Sequence, residues 1–205
     1  MSDGDVLPAE AELCRSLGVS RTTLREAVKQ LQSKGLVAVG PKSGTRVLAP
    51  ESWSQFDLEV LSWRIESGVD PAFVEQLYEL RFAFEPQACA LAAVNGTEDD
   101  HREIAASFRR MEEERDHLDA VSRADVDFHM AIIAATHNMF FTSLGSAVAA
   151  ALRVAFESSP TSDGFPPDEL QMHGAIVAAI AARQDQQAAT LMRALVQRSR
   201  ASLIA

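Results

Sequence analysis

The sequence predicts a mainly α protein: an N-terminal winged helix-turn-helix, then an all-α helical bundle. Three observations carry this prediction. Two short helix-like runs open the chain, joined by the tripeptide "GVS" and followed by a glycine-punctuated hairpin pattern. From "FDLEVLSWRIESG" onward, each run between breakers repeats its apolar residues at helical spacing. The composition is 47 % hydrophobic but only 6 % aromatic, and alanine is abundant after residue 83. Such a chain favours helices packed closely through small side chains.

The elements follow in order. Residues 1–7 read as loose. "AEAELCRSL", from Ala9 to Leu17, reads as a short helix with Pro8 near its first turn and Leu13 and Leu17 on one face. Gly18 ends it. In "SRTTLREAVKQLQSKG", Ser20 is the expected N-cap, and Leu24, Val28 and Leu31 recur at helical spacing. "LVAV" (Leu36 to Val39) and "TRVLA" (Thr45 to Ala49) read as strands, with Gly40, Pro41 and Gly44 as turn residues. A hairpin directly after a helix-turn-helix is a wing. Residues 1–49 therefore form one expected domain, 50–55 a linker and 56–205 a second domain.

Helices are expected at roughly 56–66, 71–94, 98–117, 122–136, 138–157, 167–182 and 185–203. Between them lie Gly68 with Pro71, "NGTEDD", Asn138, "SSPTSDGFPP" and Arg183–Asp185. Val74, Leu77, Leu80 and Phe84 mark a buried stripe, and Pro86 should kink or restart that segment.

The net charge of −10 is unevenly spread. The first fifty residues carry seven basic and five acidic side chains; the rest carry twelve and twenty-four. Such asymmetry implies two domains with different partners. The acidic part discourages unspecific polyanion binding while a small basic patch can still meet phosphate. No run approaches the apolar length of a membrane span, and no signal peptide opens the chain. Cys14 and Cys89 sit alone in helix-like segments, and two such thiols suggest neither a disulfide framework nor a zinc site, which fits a reducing cytoplasm.

A recognition helix must present its first turn to base edges, carry suitable donors and be braced by a second helix. Arg21 and Arg25 offer bidentate forks, and Thr22 and Thr23 can bond phosphate or touch a thymine methyl. In the wing, Lys42, Ser43 and Arg46 can reach the backbone or minor groove. The alternative is an amphipathic surface helix with solvated arginines. The preceding helix, the tight turn and the hairpin count against it.

The second domain holds a separate set. Asp125 and His129 stand four apart on one helix face, and His173 lies on a later helix. A carboxylate and imidazoles converging in a bundle suit zinc, nickel or manganese. An i,i+4 surface pair and a satisfied core histidine are the plainer readings. A metal-free polar pocket also stays open. Arg81 interrupts the apolar "YELRFAF" and needs a partner, either Glu85 one turn on or the carboxylate of an anionic ligand. Arg153, in "AVAAALRVAF", is a weaker candidate of the same kind. His137 and Asn138 suit capping at a helix junction, and His101 and His117, in charged stretches, are expected to be exposed.

"LPAEAELCRSLGVSRTTLREAVKQLQSKGLVAVGPKSGTRVLAP" resembles the winged helix-turn-helix of the GntR superfamily of bacterial transcription regulators. "DVDFH", "ATHN", "MHGAIVAAI" and the trailing helix resemble the all-helical FCD effector domain of the FadR subfamily. "WSQFDLEVLSWRIESG" and "LYELRFAFEPQACALAA" are similar to regulators answering galactonate and related sugar acids. The resemblance implies a homodimer on a palindromic operator, released by a small organic acid bound near Arg81; Arg153 and His173 complete the candidate effector-binding set. It implies a divalent metal on Asp125, His129 and His173, with Leu195 standing where a further histidine is common, so the set is one ligand short. Family members also carry a helix before "LP-x-E", where six residues stand here. A DNA-binding domain truncated in this way is expected to leave Leu13, Leu24 and Val28 partly open, to be loosely held and to bind DNA less well. A metal-dependent helical-bundle enzyme, or a ligand-binding dimer without DNA binding, are the other functional classes; no general base or nucleophile elbow supports the enzyme.

Overall fold

The computed structural model describes residues 2–40, 44–68, 70–157 and 165–204. The chain divides into two compact units, Met1–Trp63 and Arg64–Ala205. Lys42 and Ser43 of the expected wing lie outside the described residues.

In the first unit, α1 (Glu10–Leu17) ends at Gly18, whose φ of 67° is left-handed. α2 (Arg21–Ser33) begins at Ser20, whose Oγ accepts the Thr23 N–H at 3.1 Å. Its last turn closes as a Schellman motif: Leu36 N donates to the Leu31 carbonyl and Gly35 N to that of Gln32. Gly35 (φ 76°) is required there, because a Cβ would stand 2.1 Å from the Ser52 carbonyl oxygen. α2 packs on α1 and on the wing. The wing pairs β1 (Val37–Gly40) with β2 (Gly44–Val47) antiparallel, Val37 opposite Val47.

Two expectations for this unit change. Residues 4–7 are paired: Leu7 N donates to Thr45 O, Val47 N to Asp5 O and Gly4 N to Val47 O. The outer edge of β2 offers unpaired backbone groups, and the N-terminal residues take them up. Leu24 is buried at 7 % exposure and so is covered more than expected, while Leu13 and Val28 are half-buried and partly open as expected. The 50–55 segment is no free linker. Pro50–Ser52 forms a 3-10 turn, Trp53 Nε1 donates to Leu48 O, and Lys34 Nζ reaches Asp57 at 2.5 Å and Glu59 at 2.8 Å. These ties hold residues 50–59 to the first unit.

α3 (Leu58–Glu66) spans the division between the units. The second unit then consists of α4 (Pro71–Asn95), α5 (Glu98–Glu113), α6 (Leu118–Ala135), α7 (Met139–Glu157), α8 (Pro167–Ala181) and α9 (Asp185–Ile204). α4 is the central element, packing on α6, α7, α8 and α9. Asp70 caps it by accepting the Phe73 N–H at 2.8 Å. It runs through Pro86 without restarting. Proline leaves the Phe82 carbonyl without its helical donor, and Phe82 sits on the exposed side where solvent can supply one. The buried stripe is Phe73, Leu77, Arg81, Phe84, Ala88 and Ala92; Val74 and Leu80 flank it half-buried. α5 stops at Glu113 and α6 starts at Leu118. Glu112, Glu113 and Glu114 oppose the helix dipole at a C-terminus, which accounts for the earlier stop. Among the described residues, no helix is long and apolar enough to cross a membrane.

His101 is a further correction. It is 8 % exposed, three residues before the buried Ile104 on the inner face of α5, and its Nε2 lies 3.2 Å from the Ala92 carbonyl. Gly96 makes room for the ring, since a Cβ there would come within 2.7 Å of His101 Nε2. His117 is exposed. His137 (φ 51°) places Nε2 2.7 Å from Asp100, and Asn138 Oδ1 accepts the Phe140 N–H.

Candidate functional site

The first turn of α2 presents Arg21, Thr22, Thr23 and Arg25, all exposed. The inward face of the helix (Leu24, Val28, Leu31) fixes which residues point out. Thr23 is partly committed to the cap, its Oγ1 lying 2.8 Å from Ser20 Oγ. Arg25 Nε donates to Glu10 Oε2 at 2.9 Å, and Arg21 Nε stands 4.0 Å from Glu10 Oε1. One α1 carboxylate thus bonds Arg25 and stands near Arg21. The Arg25 guanidinium holds the Glu10 carboxyl below its usual range. Arg46 is exposed on β2 and donates to the Gly4 carbonyl.

The second unit gathers Arg81, Glu85, Asp125, His129 and His173 in its core, each at most 3 % exposed. α4 supplies Arg81 and Glu85, one turn apart; α6 supplies Asp125 and His129 at the same spacing; α8 supplies His173. Phe128 and Phe165 pack edge-on to His173, with ring centroids 5.0 and 5.5 Å away. This apolar wall removes water and strengthens every charge interaction inside.

The polar contacts form a chain. Arg81 Nε donates to Glu85 Oε1 at 2.5 Å. Glu85 Oε2 lies 2.5 Å from His129 Nδ1. His129 Nε2 is 3.7 Å, and His173 Nε2 3.0 Å, from Asp125 Oδ1. His173 Nδ1 is 2.7 Å from the Glu169 carbonyl. Burial alone would raise the Glu85 carboxyl, but the Arg81 and His129 charges outweigh it and hold it at about 2. Asp125 is likewise held low against burial, by the two imidazoles and Arg81. Burial pushes Glu169, beside His173, upward.

This chain is not fully satisfied. Arg81 Nη1, Glu85 Oε2, Asp125 Oδ1 and His173 Nε2 are buried without a hydrogen-bond partner. The Glu169 carbonyl can only accept, so His173 Nδ1 carries a proton and Nε2 is the nitrogen turned to Asp125. Nε2 stands 3.0 Å from Asp125 Oδ1, a contact closed either by a proton on Nε2 or by a cation held between the two. Asp125, His129 and His173 each offer one ligand atom, all within 4.8 Å of one another. Two imidazole nitrogens and a carboxylate suit zinc, nickel or manganese, so the residues fit a divalent metal. Leu195 is a buried apolar residue and offers no fourth ligand.

The structure does not bring Arg153 into this set. It lies on the exposed side of α7, between the buried Leu152 and Val154. Glu85 is the residue whose role the sequence hid, because spacing shows only its i,i+4 relation to Arg81. The 2.5 Å approach to His129, forty-four positions on, is a tertiary fact.

Residues 1–47 match the bacterial regulatory proteins of the gntR family, and residues 76–198 match the FCD domain. The chain belongs to the GntR family, in its FCD-bearing branch. This GntR regulator is 32 % identical over 178 residues to the galactonate operon transcriptional repressor of Escherichia coli K12, covering 86 % of this chain and 78 % of that protein. It is 35 % identical over 179 residues to the uncharacterized HTH-type regulator YieP of the same organism, covering 86 % and 76 %. Among solved structures, a Streptococcus agalactiae GntR protein aligns over 98 % of this chain and 91 % of its own, at 25 % identity and a TM-score of 0.58. Escherichia coli McbR/YncC aligns over 100 % and 89 %, at 17 % identity and a TM-score of 0.62, and shares the fold. The chain is a transcriptional regulator of the GntR type, as its relatives are.

Proposed function

We propose that this regulator is a homodimeric repressor that leaves its operator when a small organic acid, a sugar acid of the galactonate kind, enters the buried polar site. The observation that carries this reading is Arg81. A guanidinium at 1 % exposure with Nη1 unpartnered is a built receptor for a carboxylate. The 32 % identity to a galactonate operon repressor supports the sugar-acid class.

Each residue then has a task. Arg81 grips the carboxylate and selects for an anion. Asp125, His129 and His173 would hold a divalent metal, zinc, nickel or manganese. When bound, the metal supplies a Lewis acid for the oxygens of a hydroxy acid, which suits a set one protein ligand short. Phe128 and Phe165 exclude water. In the N-terminal unit, Arg21, Thr22, Thr23 and Arg25 read one half-site, and Arg46, with Lys42 and Ser43, contacts the backbone or minor groove. The acid shifts the dimer away from its DNA-competent arrangement to the extent that it binds the other arrangement more tightly.

Calorimetric titration of galactonate and related sugar acids into zinc-loaded protein tests the site. Saturable binding that disappears in Arg81→Ala is the expected result. A panel of sugar acids and lactate giving no heat in the native chain refutes it.

A further inference from the structure

Glu85 stands between the anion-binding and metal-binding halves of the buried site. A bidentate fork is the stronger way to pair an arginine with a carboxylate. Here only Arg81 Nε engages Oε1, and Oε2 is turned to His129 Nδ1 at 2.5 Å. That approach lies off the line of an N–H, so Oε2 remains a buried oxygen without a formed hydrogen bond. The other nitrogen of the ring, Nε2, faces Asp125 and belongs to the converging donor set. The two histidines are thus braced differently. His173 leans on a neutral backbone carbonyl, and His129 leans on a carboxylate that is shared with an arginine.

We propose that Glu85 is the outer-sphere carboxylate of the metal centre: with metal bound it accepts a hydrogen bond from the His129 Nδ1–H, turns Nε2 to the metal, and links metal binding to anion binding through Arg81. The inference rests on the metal reading above. An imidazole that donates to a carboxylate is a stronger ligand, and removing such an outer partner lowers metal affinity about 10–100-fold. Arg81 neutralises part of the Glu85 charge. An acid that draws on Arg81 leaves Glu85 a better acceptor and His129 a better ligand. By linkage, metal and acid then each tighten the binding of the other.

The test is a Co2+ titration of the native chain, Asp125→Asn and Glu85→Gln, followed by visible absorbance, with thermal unfolding confirming that each variant is folded. The native chain should bind, Asp125→Asn should not, and Glu85→Gln should bind about 10–100-fold more weakly. Native affinity in Glu85→Gln overturns the inference. Complete loss overturns it as well, since Glu85 would then be a direct ligand. A native chain that takes no Co2+ overturns the metal reading itself and this inference with it. Long-range 1H–15N spectra of the Zn2+-loaded native chain provide a check that needs no variant. A protonated Nδ1 on His129 is expected; metal on Nδ1 contradicts the inference.

Discussion

Arg81 is a cation placed where cations are costly, and among the described residues its ion-pair partner is the Glu85 carboxylate one turn away. Removing one member of a buried pair leaves the other charge unmatched, which costs about 3–5 kcal/mol. Arg81→Met should therefore lower stability by about that much in urea unfolding, and the double replacement Arg81→Met/Glu85→Met should recover most of it. A double variant no better than the single would show that the pair is not the unit of stability. At this scale the sequence was partly readable. Arg81 broke an apolar pattern, and Asp125 and His129 shared a helix face, so both were visible as anomalies. The approach of Glu85 to His129 was invisible, because no periodicity relates α4 to α6. Arg153 was misleading for the opposite reason. Its apolar neighbours in the chain suggested burial, but a helix turns about 100° per residue and Arg153 falls on the outer face.

At the scale of elements, the DNA-reading helix and the cap of α5 make separate predictions. Arg21→Ala should weaken operator binding by about 1–3 kcal/mol and relax the preference at one base pair, read by anisotropy on single-base operator variants. An equal loss on every sequence would make Arg21 a phosphate contact. α5 opens with a capping box in which Thr97 and Asp100 satisfy each other. Thr97→Ala should cost about 1 kcal/mol in urea unfolding. The bonds from Thr97, then that from His137, hold Asp100 at about 2. Because that value lies below the unfolded one near 3.8, its stabilisation is present above about pH 4 and is lost as pH falls toward about 2. In Thr97→Ala this acid-dependent loss should shrink. The helix starts were legible because caps and prolines are local. The stop of α5 and the pairing of residues 4–7 with β2 were not. The first depends on a charge run that also reads as an ordinary solvated face. The second depends on a free strand edge that exists only once the hairpin has formed.

At the scale of the whole molecule, the charge division seen in the sequence corresponds to a division of labour. The basic excess lies in the N-terminal part that matches the gntR family, and the acidic excess in the part that carries the FCD domain. The fold class followed from composition and periodicity because both units use regular elements with strong punctuation. Their boundary did not, since residues 50–59 carry side chains that bind back to the first unit, and a polar stretch reads as a linker whether or not it is tied down. In the proposed function, an anion held by Arg81 in the second unit controls DNA binding by the first. The most direct measurement is operator affinity by fluorescence anisotropy, on a fragment selected from random DNA by the protein, with and without galactonate or a related sugar acid, for the native chain and Arg81→Ala. The acid should weaken operator binding by the native chain, and Arg81→Ala should bind the same DNA but no longer respond. Operator affinity unchanged by every acid of the panel, or an undiminished response in Arg81→Ala, would contradict it.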